Sequence, residues 1–149
     1  MNQAPEIEVS TVVVKHGKVL LGQRKNAQGN FSWGVPQGVL TLGEQVEERA
    51  LKQLCEETGL KALSLYQGPW ALDPLEKRLS LFIFIDLFDN ESALVEHFKW
   101  FDWNDLPTPL PTSFLKLIQT IGLQKLKEAS GFSFTPHFKH SIVNKLFKN

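Results

Sequence analysis

Two adjacent glutamates on a predicted helix are the residues best suited to chemistry in this sequence. Glu56 and Glu57 stand shortly before Gly59, a good C-terminal helix cap. At about 100° per residue, positions 53, 56 and 57 fall within roughly a 100° arc of the helix surface. Two carboxylates this close repel each other unless a cation lies between them. Hard oxygen ligands suit Mg²⁺ or Mn²⁺, which usually bridge to substrate phosphates.

The residues around the glutamates distinguish a site from an ordinary solvated acidic face, which is common on surface helices. Gly38 lies six residues before Glu44, and the stretch 33–38, Trp-Gly-Val-Pro-Gln-Gly, leads into the loop before the helix. An adjacent apolar stripe can anchor the helix in the core. Its members are Val46, Ala50 and Leu54. The sequence therefore predicts carboxylates on a helix that is fixed against the core.

This spacing resembles the Nudix box. In that pattern a glycine, five residues, a glutamate and seven residues precede Arg-Glu, an apolar residue, any residue, Glu-Glu, any residue, glycine and an apolar residue. The matching positions are Gly38, Glu44, Leu54, Glu56, Glu57, Gly59 and Leu60. The wider resemblance runs from about residue 9 to residue 121. It implies the Nudix fold, an α/β/α sandwich around a mixed β-sheet.

Two positions depart from the family's pattern. Lys52 stands where arginine is usual. Lysine keeps the charge but lacks the rigid two-point geometry with which that arginine orients acidic side chains. Gln53 stands where a glutamate is usual, and its amide can hold a metal or a water but cannot act as a base. If the missing carboxylate limits the site, Gln53→Glu is expected to raise metal affinity or rate.

The resemblance implies a Mg²⁺-dependent (or Mn²⁺-dependent) pyrophosphohydrolase that cleaves a nucleoside diphosphate linked to another moiety, here with reduced activity. In that reaction the cation polarises a diphosphate and an activated water attacks one phosphorus. Glu56 and Glu57 are predicted to hold the metal, with Glu44 as an outer partner or secondary ligand. Together with Lys52 and Gln53 they form the predicted catalytic set.

Five further residues are candidates for contact with the substrate. Arg24 is a candidate for phosphate, or a solvated arginine at a strand end. Phe31 and Trp33 can stack on a base, although core packing is favoured for at least one of them. Glu96 lies where some relatives carry an extra acidic ligand, or is a surface glutamate. Gly38 belongs to the box itself.

Composition limits the class of protein. The 149 residues fit one domain, and 42% hydrophobic with 21% charged residues is ordinary for a globular protein. The formal net charge is zero, so a nucleic-acid partner is not expected. Cys55 is the only cysteine, which excludes an intramolecular disulfide. Residues 1–10 contain no apolar run and 79–88 are too short to span a bilayer, so we expect a soluble cytoplasmic protein without a membrane partner.

Periodicity predicts the elements that position the site. Strands are expected at 7–15 and 18–23, joined by a turn at 16–17, and a third strand at 31–35. The box helix is expected from about Glu44 to Thr58. The remaining elements are strands at 60–72, 79–88 and 98–103, and a helix at 113–121 capped by Thr112. This order indicates a mixed α/β sandwich.

The chain is expected to divide near residue 121. Residues 1–121 form the predicted Nudix domain, and residues 122–149 form a basic extension. The extension is predicted to be a helical arm packed on or flanking the same domain, or to be partly disordered. Dimers are common in the family, so a homodimer is a candidate assembly.

Two functions of different class follow. The first is hydrolysis of a free nucleotide, with a nucleoside triphosphate favoured and nucleotide sugars, ADP-ribose and dinucleoside polyphosphates left open. Base preference is expected to depend on the loops at 26–31 and 72–78. The second is a catalytically impaired Nudix-fold nucleotide-binding or regulatory module, suggested by Gln53. The intact glutamates at 44, 56 and 57 favour the enzyme.

Overall fold

Seven strands and three α-helices are found in the part of the chain that the structure, a computed structural model, describes: residues 5–25, 29–73 and 77–132. The strands are β1 (Glu6–Lys15), β2 (Lys18–Lys25), β3 (Phe31–Gly34), β4 (Gln37–Val39), β5 (Lys61–Asp73), β6 (Arg78–Asp89) and β7 (Phe98–Asp102). The helices are α1 (Val46–Thr58), α2 (Thr112–Ile121) and α3 (Leu123–Lys127). A 3₁₀ turn at Glu91–Ala93 and a π-helical turn at Glu128–Phe132 complete the elements.

Strand β1 joins the two halves of a mixed sheet. It pairs in parallel with β6, antiparallel with β4, and antiparallel with β2 at its far end. The strand order is β3-β2-β1-β6-β5, with β4 added on β1 and β7 on β2. The parallel β1–β6 pairing requires a crossover, which the chain makes through α1. The predicted α/β architecture is confirmed.

The sheet is covered on both faces, because alternate residues of β1 enter different hydrophobic cores. Val9 and Val13 pack with the apolar stripe of α1, whereas Val12 and Val14 pack with α2 and α3. Strand β6 follows the same alternation and is buried on both faces, as predicted from its continuous apolar run. The result is an α/β/α sandwich whose α1 layer carries the candidate site.

Caps and turns fix both ends of α1. Gly59 has a left-handed backbone (φ 85°) and donates its N–H to Cys55 O at 3.0 Å, which confirms the predicted glycine cap. The helix begins at Val46, two residues later than predicted, because Gln45 is its N-cap residue. The Gln45 backbone N–H donates to Glu48 Oε1 at 3.3 Å, one half of a capping box.

One local prediction was wrong. Thr112 is the first residue of α2 rather than its cap; Pro111 precedes it, and no side-chain cap is formed there. Strand β3 ends at Gly34, before the proline at 36, and the short strand β4, which was not predicted, begins at Gln37 and pairs with β1. The proline tolerates this position because it lies before the strand, and its carbonyl accepts the Thr11 N–H at 2.9 Å.

The start of the basic extension packs onto the rest of the fold. Leu126 and Ala129 are buried, and Ser130 Oγ accepts a hydrogen bond from Trp103 Nε1 at 2.6 Å. The Ser130 carbonyl also accepts the Gly17 N–H at 2.9 Å. Residues 133–149, which carry the other lysines of the extension, lie outside the described residues. Within 5–25, 29–73 and 77–132, no helix is long and apolar enough to cross a membrane.

Candidate functional site

Four of the predicted catalytic residues lie on helix α1 and differ in their exposure. Gln53 and Glu57 are half-buried and one helical turn apart, and Gln53 Nε2 donates to Glu57 Oε2 at 2.6 Å. Glu56 and Lys52 are exposed. The structure therefore brings residues 53 and 57 together and leaves Glu56 on the solvent side of the same helix.

Glu57 is held by donors from three elements. Arg24 of β2 donates from Nη2 to Glu57 Oε1 at 2.5 Å, and the Gln37 backbone N–H of β4 donates to Oε2 at 3.1 Å. Gln53 of α1 supplies the third contact. Arg24 also donates to Val35 O at 2.9 Å. Arg24 thus pairs with the box carboxylate while 35% of its side chain stays exposed, and its contact with phosphate remains a prediction.

Arg49 is a site residue that sequence reasoning missed. It makes a forked contact with Glu44, Nε to Oε1 at 2.9 Å and Nη2 to Oε2 at 2.7 Å. These hydrogen bonds from Arg49 are the main cause that lowers the pKa of Glu44 to about 2. The forked contact absent from Lys52 is made instead by an arginine three residues earlier. A signal existed in the sequence, since Arg49 lies one helical turn before Gln53.

Arg49 and Gly38 both contact Gln53. Arg49 Nη1 donates to Gln53 Oε1 at 3.3 Å. A Cβ atom added to Gly38 would lie 2.2 Å from the same oxygen and 2.9 Å from Arg49 Cδ. The box glycine therefore provides the space in which the Gln53 amide meets its partners. We call the connected side chains of Glu44, Arg49, Gln53, Glu57 and Arg24 the box network.

The remaining predicted substrate residues lie in different surroundings. Phe31 is 53% exposed, with Lys25 Nζ 5.7 Å from its ring centroid. Trp33 packs edge-to-face on Phe101 with centroids 5.0 Å apart, and so belongs to the core. Glu96 is exposed in the loop before β7. Phe31 is thus the aromatic side chain of the pair that remains accessible to a ligand.

The donor set suits a divalent cation only in part. Among the described residues, no three His, Cys, Asp or Glu side chains form a group that could hold an ion. Glu44 is committed to Arg49, and Glu57 to Arg24 and Gln53. The hard oxygens at positions 56 and 57 still fit Mg²⁺, which is commonly bound by one or two carboxylates plus waters and substrate phosphates.

A polar cleft adjoins the box network. It has a volume of about 240 Å³ and is lined by residues of β4, β5, β6 and the start of α2. These residues are Gln37, Asp73, Arg78, Ser80, Pro111, Thr112 and Ser113. Gln37 belongs to both places, since its backbone N–H holds Glu57 while the residue lines the cleft. Part of the loop that was expected to set base preference, 74–76, and residues 26–28 lie outside the described residues.

The chain is similar in sequence to several known proteins. A sequence profile of the NUDIX domain matches residues 5–121. The "ADP-ribose pyrophosphatase" of Methanocaldococcus jannaschii is 32% identical over 111 residues, which cover 69% of this chain and 65% of that relative, just under two thirds of its length. The "oxidized purine nucleoside triphosphate hydrolase" of Danio rerio is 28% identical over 132 residues, 85% of each chain.

A solved structure shares the architecture. The Nudix domain of Shewanella oneidensis NrtR, crystallised with ADP ribose, is 25% identical and superposes with a TM-score of 0.62, covering 79% of this chain and 86% of that one. The chain belongs to the Nudix family, as the box predicted, and its sandwich is the Nudix fold. Members of this family that hydrolyse pyrophosphate bonds generally use divalent metal ions.

Proposed function

We propose that this protein is a Mg²⁺-dependent or Mn²⁺-dependent pyrophosphohydrolase that cleaves a nucleoside diphosphate linked to another moiety. The observation that carries the proposal is the junction at Gln37, where the polar cleft meets the box glutamate Glu57. A nucleoside seated in the cleft would direct its diphosphate towards α1. Membership of the Nudix family supports this reaction.

The cleft is suited to a base and sugar rather than to a whole dinucleotide. Its volume of about 240 Å³ is smaller than the roughly 300–1,000 Å³ usual for ligand pockets. Its lining combines the donor Arg78, the acceptor Asp73 and small hydroxyl side chains. The moiety beyond the diphosphate would therefore lie outside the cleft, along the exposed side of α1.

Glu8 offers a further group for recognition beside the cleft. It pairs in register with the lining residue Ser80, and burial raises its pKa. Its Oε1 is buried with no hydrogen-bond partner in the described part of the chain, and Arg78 lies 3.7 Å from Oε2. Because this oxygen is enclosed, a contact with the N–H edge of a nucleobase would require the Glu8 side chain to turn towards the cleft.

The chain's own residues orient the reacting centre. Glu56 and Glu57 would hold the divalent ion, which neutralises and polarises a diphosphate when bound. Arg24 and Gln37 fix the Glu57 carboxylate, and Gln53 cannot accept the proton of the attacking water because an amide is not a base. The proton of the attacking water must therefore pass to a group other than Gln53. This loss supports the proposed reduced activity.

Two substrate classes are favoured by the relatives. One relative is an ADP-ribose pyrophosphatase and another hydrolyses oxidized purine nucleoside triphosphates. Both substrates contain a purine nucleoside diphosphate, which is the unit that the cleft and the box would share. We propose purine nucleotides as the class, with ADP-ribose and a purine triphosphate as the first candidates.

The second candidate function is a nucleotide-binding module without turnover. The observation that favours it is the state of Glu57, which Arg24 already neutralises and Gln53 already binds. The Nudix domain of NrtR, crystallised with ADP ribose, is a relative of comparable fold.

A substrate panel separates the two functions. Purified full chain is incubated with ADP-ribose, purine triphosphates, nucleotide sugars and dinucleotides, each with Mg²⁺ or Mn²⁺, and products are separated by chromatography. Hydrolysis that is lost in Glu57→Gln and kept in Asp105→Asn, an exposed carboxylate remote in sequence, supports the enzyme. Micromolar binding by calorimetry without any product from the panel would instead establish the module.

A further inference from the structure

We infer that position 53 is a hydrogen-bond donor position in this protein, and that Gln53 is a positioning residue which links Arg49 to Glu57. A glutamate at this position would weaken the site rather than restore it. The inference deepens the proposed function, since it concerns the same site and rests on it. It reverses the expectation from the family's pattern that Gln53→Glu would raise metal affinity or rate.

The two ends of the Gln53 amide face partners of opposite character. Its Oε1 accepts from Arg49 Nη1 at 3.3 Å, and its Nε2 donates to Glu57 Oε2 at 2.6 Å. A guanidinium can only donate and an ionised carboxylate can only accept, so the orientation of the amide follows from its neighbours. A glutamate at position 53 could still accept the hydrogen bond from Arg49. It could not donate to Glu57, because its carboxylate oxygen and that of Glu57 would both be acceptors and would repel each other.

The named members of the box network already balance in charge, and Glu56 adds a further negative charge that acts on Arg49. Two carboxylates, Glu44 and Glu57, face two guanidiniums, Arg49 and Arg24. A third carboxylate would leave one negative charge without a cation in a half-buried place. In the structure the two arginines neutralise these two carboxylates, and Gln53 connects the two ion pairs.

The order of contacts makes Arg49 act on Glu57 through Gln53. Two nitrogens of Arg49 donate hydrogen bonds to Glu44, and the third donates to Gln53. A lysine has one nitrogen and cannot hold both partners in this fork geometry. Arg49→Lys would therefore release Gln53, and Glu57 would lose one of the donors on its Oε2.

The first test measures the contacts without any need for turnover. In ¹⁵N–¹H spectra of the full chain, the Gln53 side-chain amide is assigned by its absence in Gln53→Glu. Its shift should change in Arg49→Lys and in Glu57→Gln and should be unchanged in the control Asp105→Asn. If the chemical shift of the Gln53 amide is unchanged in both Arg49→Lys and Glu57→Gln, the inference is overturned.

The second test compares stabilities in urea, with Mg²⁺ absent and present. Without Mg²⁺, Gln53→Glu should shift the unfolding equilibrium about tenfold towards unfolding, the effect of losing a hydrogen bond to a charged group. The double variant Gln53→Glu with Glu57→Gln exchanges acceptor and donor between the two side chains, and should recover part of that loss, because the same Glu57 oxygen also accepts the Gln37 N–H. Mg²⁺ that stabilises Gln53→Glu beyond the wild type would overturn the inference, since position 53 would then serve as a metal ligand.

The third test uses turnover, and its failure is distinguishable from failure of the proposed function. For a substrate found in the panel, Gln53→Glu should lower kcat with little change in KM, because Glu57 is misplaced while the cleft is intact. The exchanged double variant should recover part of the stability but not kcat. A gain in kcat in Gln53→Glu overturns the inference. If the wild type hydrolyses nothing, the proposed function fails, and the spectra and urea curves still decide the role of Gln53.

Discussion

Gly38→Ala tests whether the box glycine exists to make space for the box network. The added Cβ would lie 2.2 Å from Gln53 Oε1, 2.8 Å from Gln53 Cδ and 2.9 Å from Arg49 Cδ. Ordinary contacts of this kind are about 3.5–4.0 Å, so the Gln53 amide must move by more than about 1 Å. Such a displacement breaks its 2.6 Å hydrogen bond to Glu57.

The cost in stability is set by lost contacts rather than by compression. The atoms that clash belong to the flexible ends of two side chains, which can swing away. The variant loses a hydrogen bond to a charged group, which contributes about 1.5–3 kcal/mol to the free energy of unfolding when it is buried. At this half-buried position we expect a contribution of about 1–2 kcal/mol. That corresponds to a fall in Tm of about 3–6 °C for a domain of this size. Turnover should fall at least tenfold, because Glu57 loses its orientation.

Gly34→Ala is the matched control for Gly38→Ala. Its added Cβ would lie 3.5 Å from Pro111 Cγ, an ordinary contact, so calorimetric Tm and turnover should stay near the wild type. A double-mutant cycle then isolates the cause: in a Gln53→Ala background, Gly38→Ala should cost little, because the clashing amide is gone. A Gly38→Ala protein with wild-type Tm and turnover, or an equal loss in the Gln53→Ala background, would refute the reasoning.

Three further predictions concern other contacts. Arg24→Gln should lower turnover at least tenfold with little change in circular dichroism, because Glu57 loses its cation; wild-type rates would contradict this. The folded-state pKa of Glu44, about 2 against 4.5, implies a stabilisation present above pH 4.5 and lost as the pH falls towards 2. The Tm values of the wild type and of Glu44→Gln should therefore converge as the pH falls through that window. Tm curves that stay parallel would show that ionised Glu44 does not stabilise the fold. Ser130→Ala should cost about 1–3 kcal/mol in urea unfolding, because Trp103 Nε1 is left buried without its acceptor; an unchanged midpoint would show that another acceptor replaces it.

The fold and the family were predictable because local signals agreed with one another. The box spacing, the glycine cap at Gly59 and the apolar stripe with Ala50 and Leu54 indicate one anchored helix, and the structure confirms it. The unbroken apolar run of β6 likewise predicted a strand buried on both faces. These features depend on neighbours within a few residues, which a single sequence displays directly.

The contact of Arg24 with Glu57 was beyond prediction from sequence because it joins two distant positions. Arg24 and Glu57 are 33 residues apart, and their ion pair depends on how β2 lies against α1. Arg49 falls within the seven unspecified positions of the motif, so the pattern gave it no role. The catalytic and substrate assignments remain predictions, as does the boundary at residue 121, beyond which Leu126 is buried.

Glu57 has a structural role in addition to its proposed role in catalysis, because three elements of the fold contact its carboxylate. Its carboxylate connects β2, β4 and α1 by accepting hydrogen bonds from Arg24, Gln37 and Gln53. Selection for folding alone would retain it, even in a descendant that had ceased to turn over substrate. An intact glutamate here therefore reports on the architecture as much as on the reaction. In such a descendant, we expect the first substitution to occur at Glu56, because this exposed side chain does not connect elements of the fold.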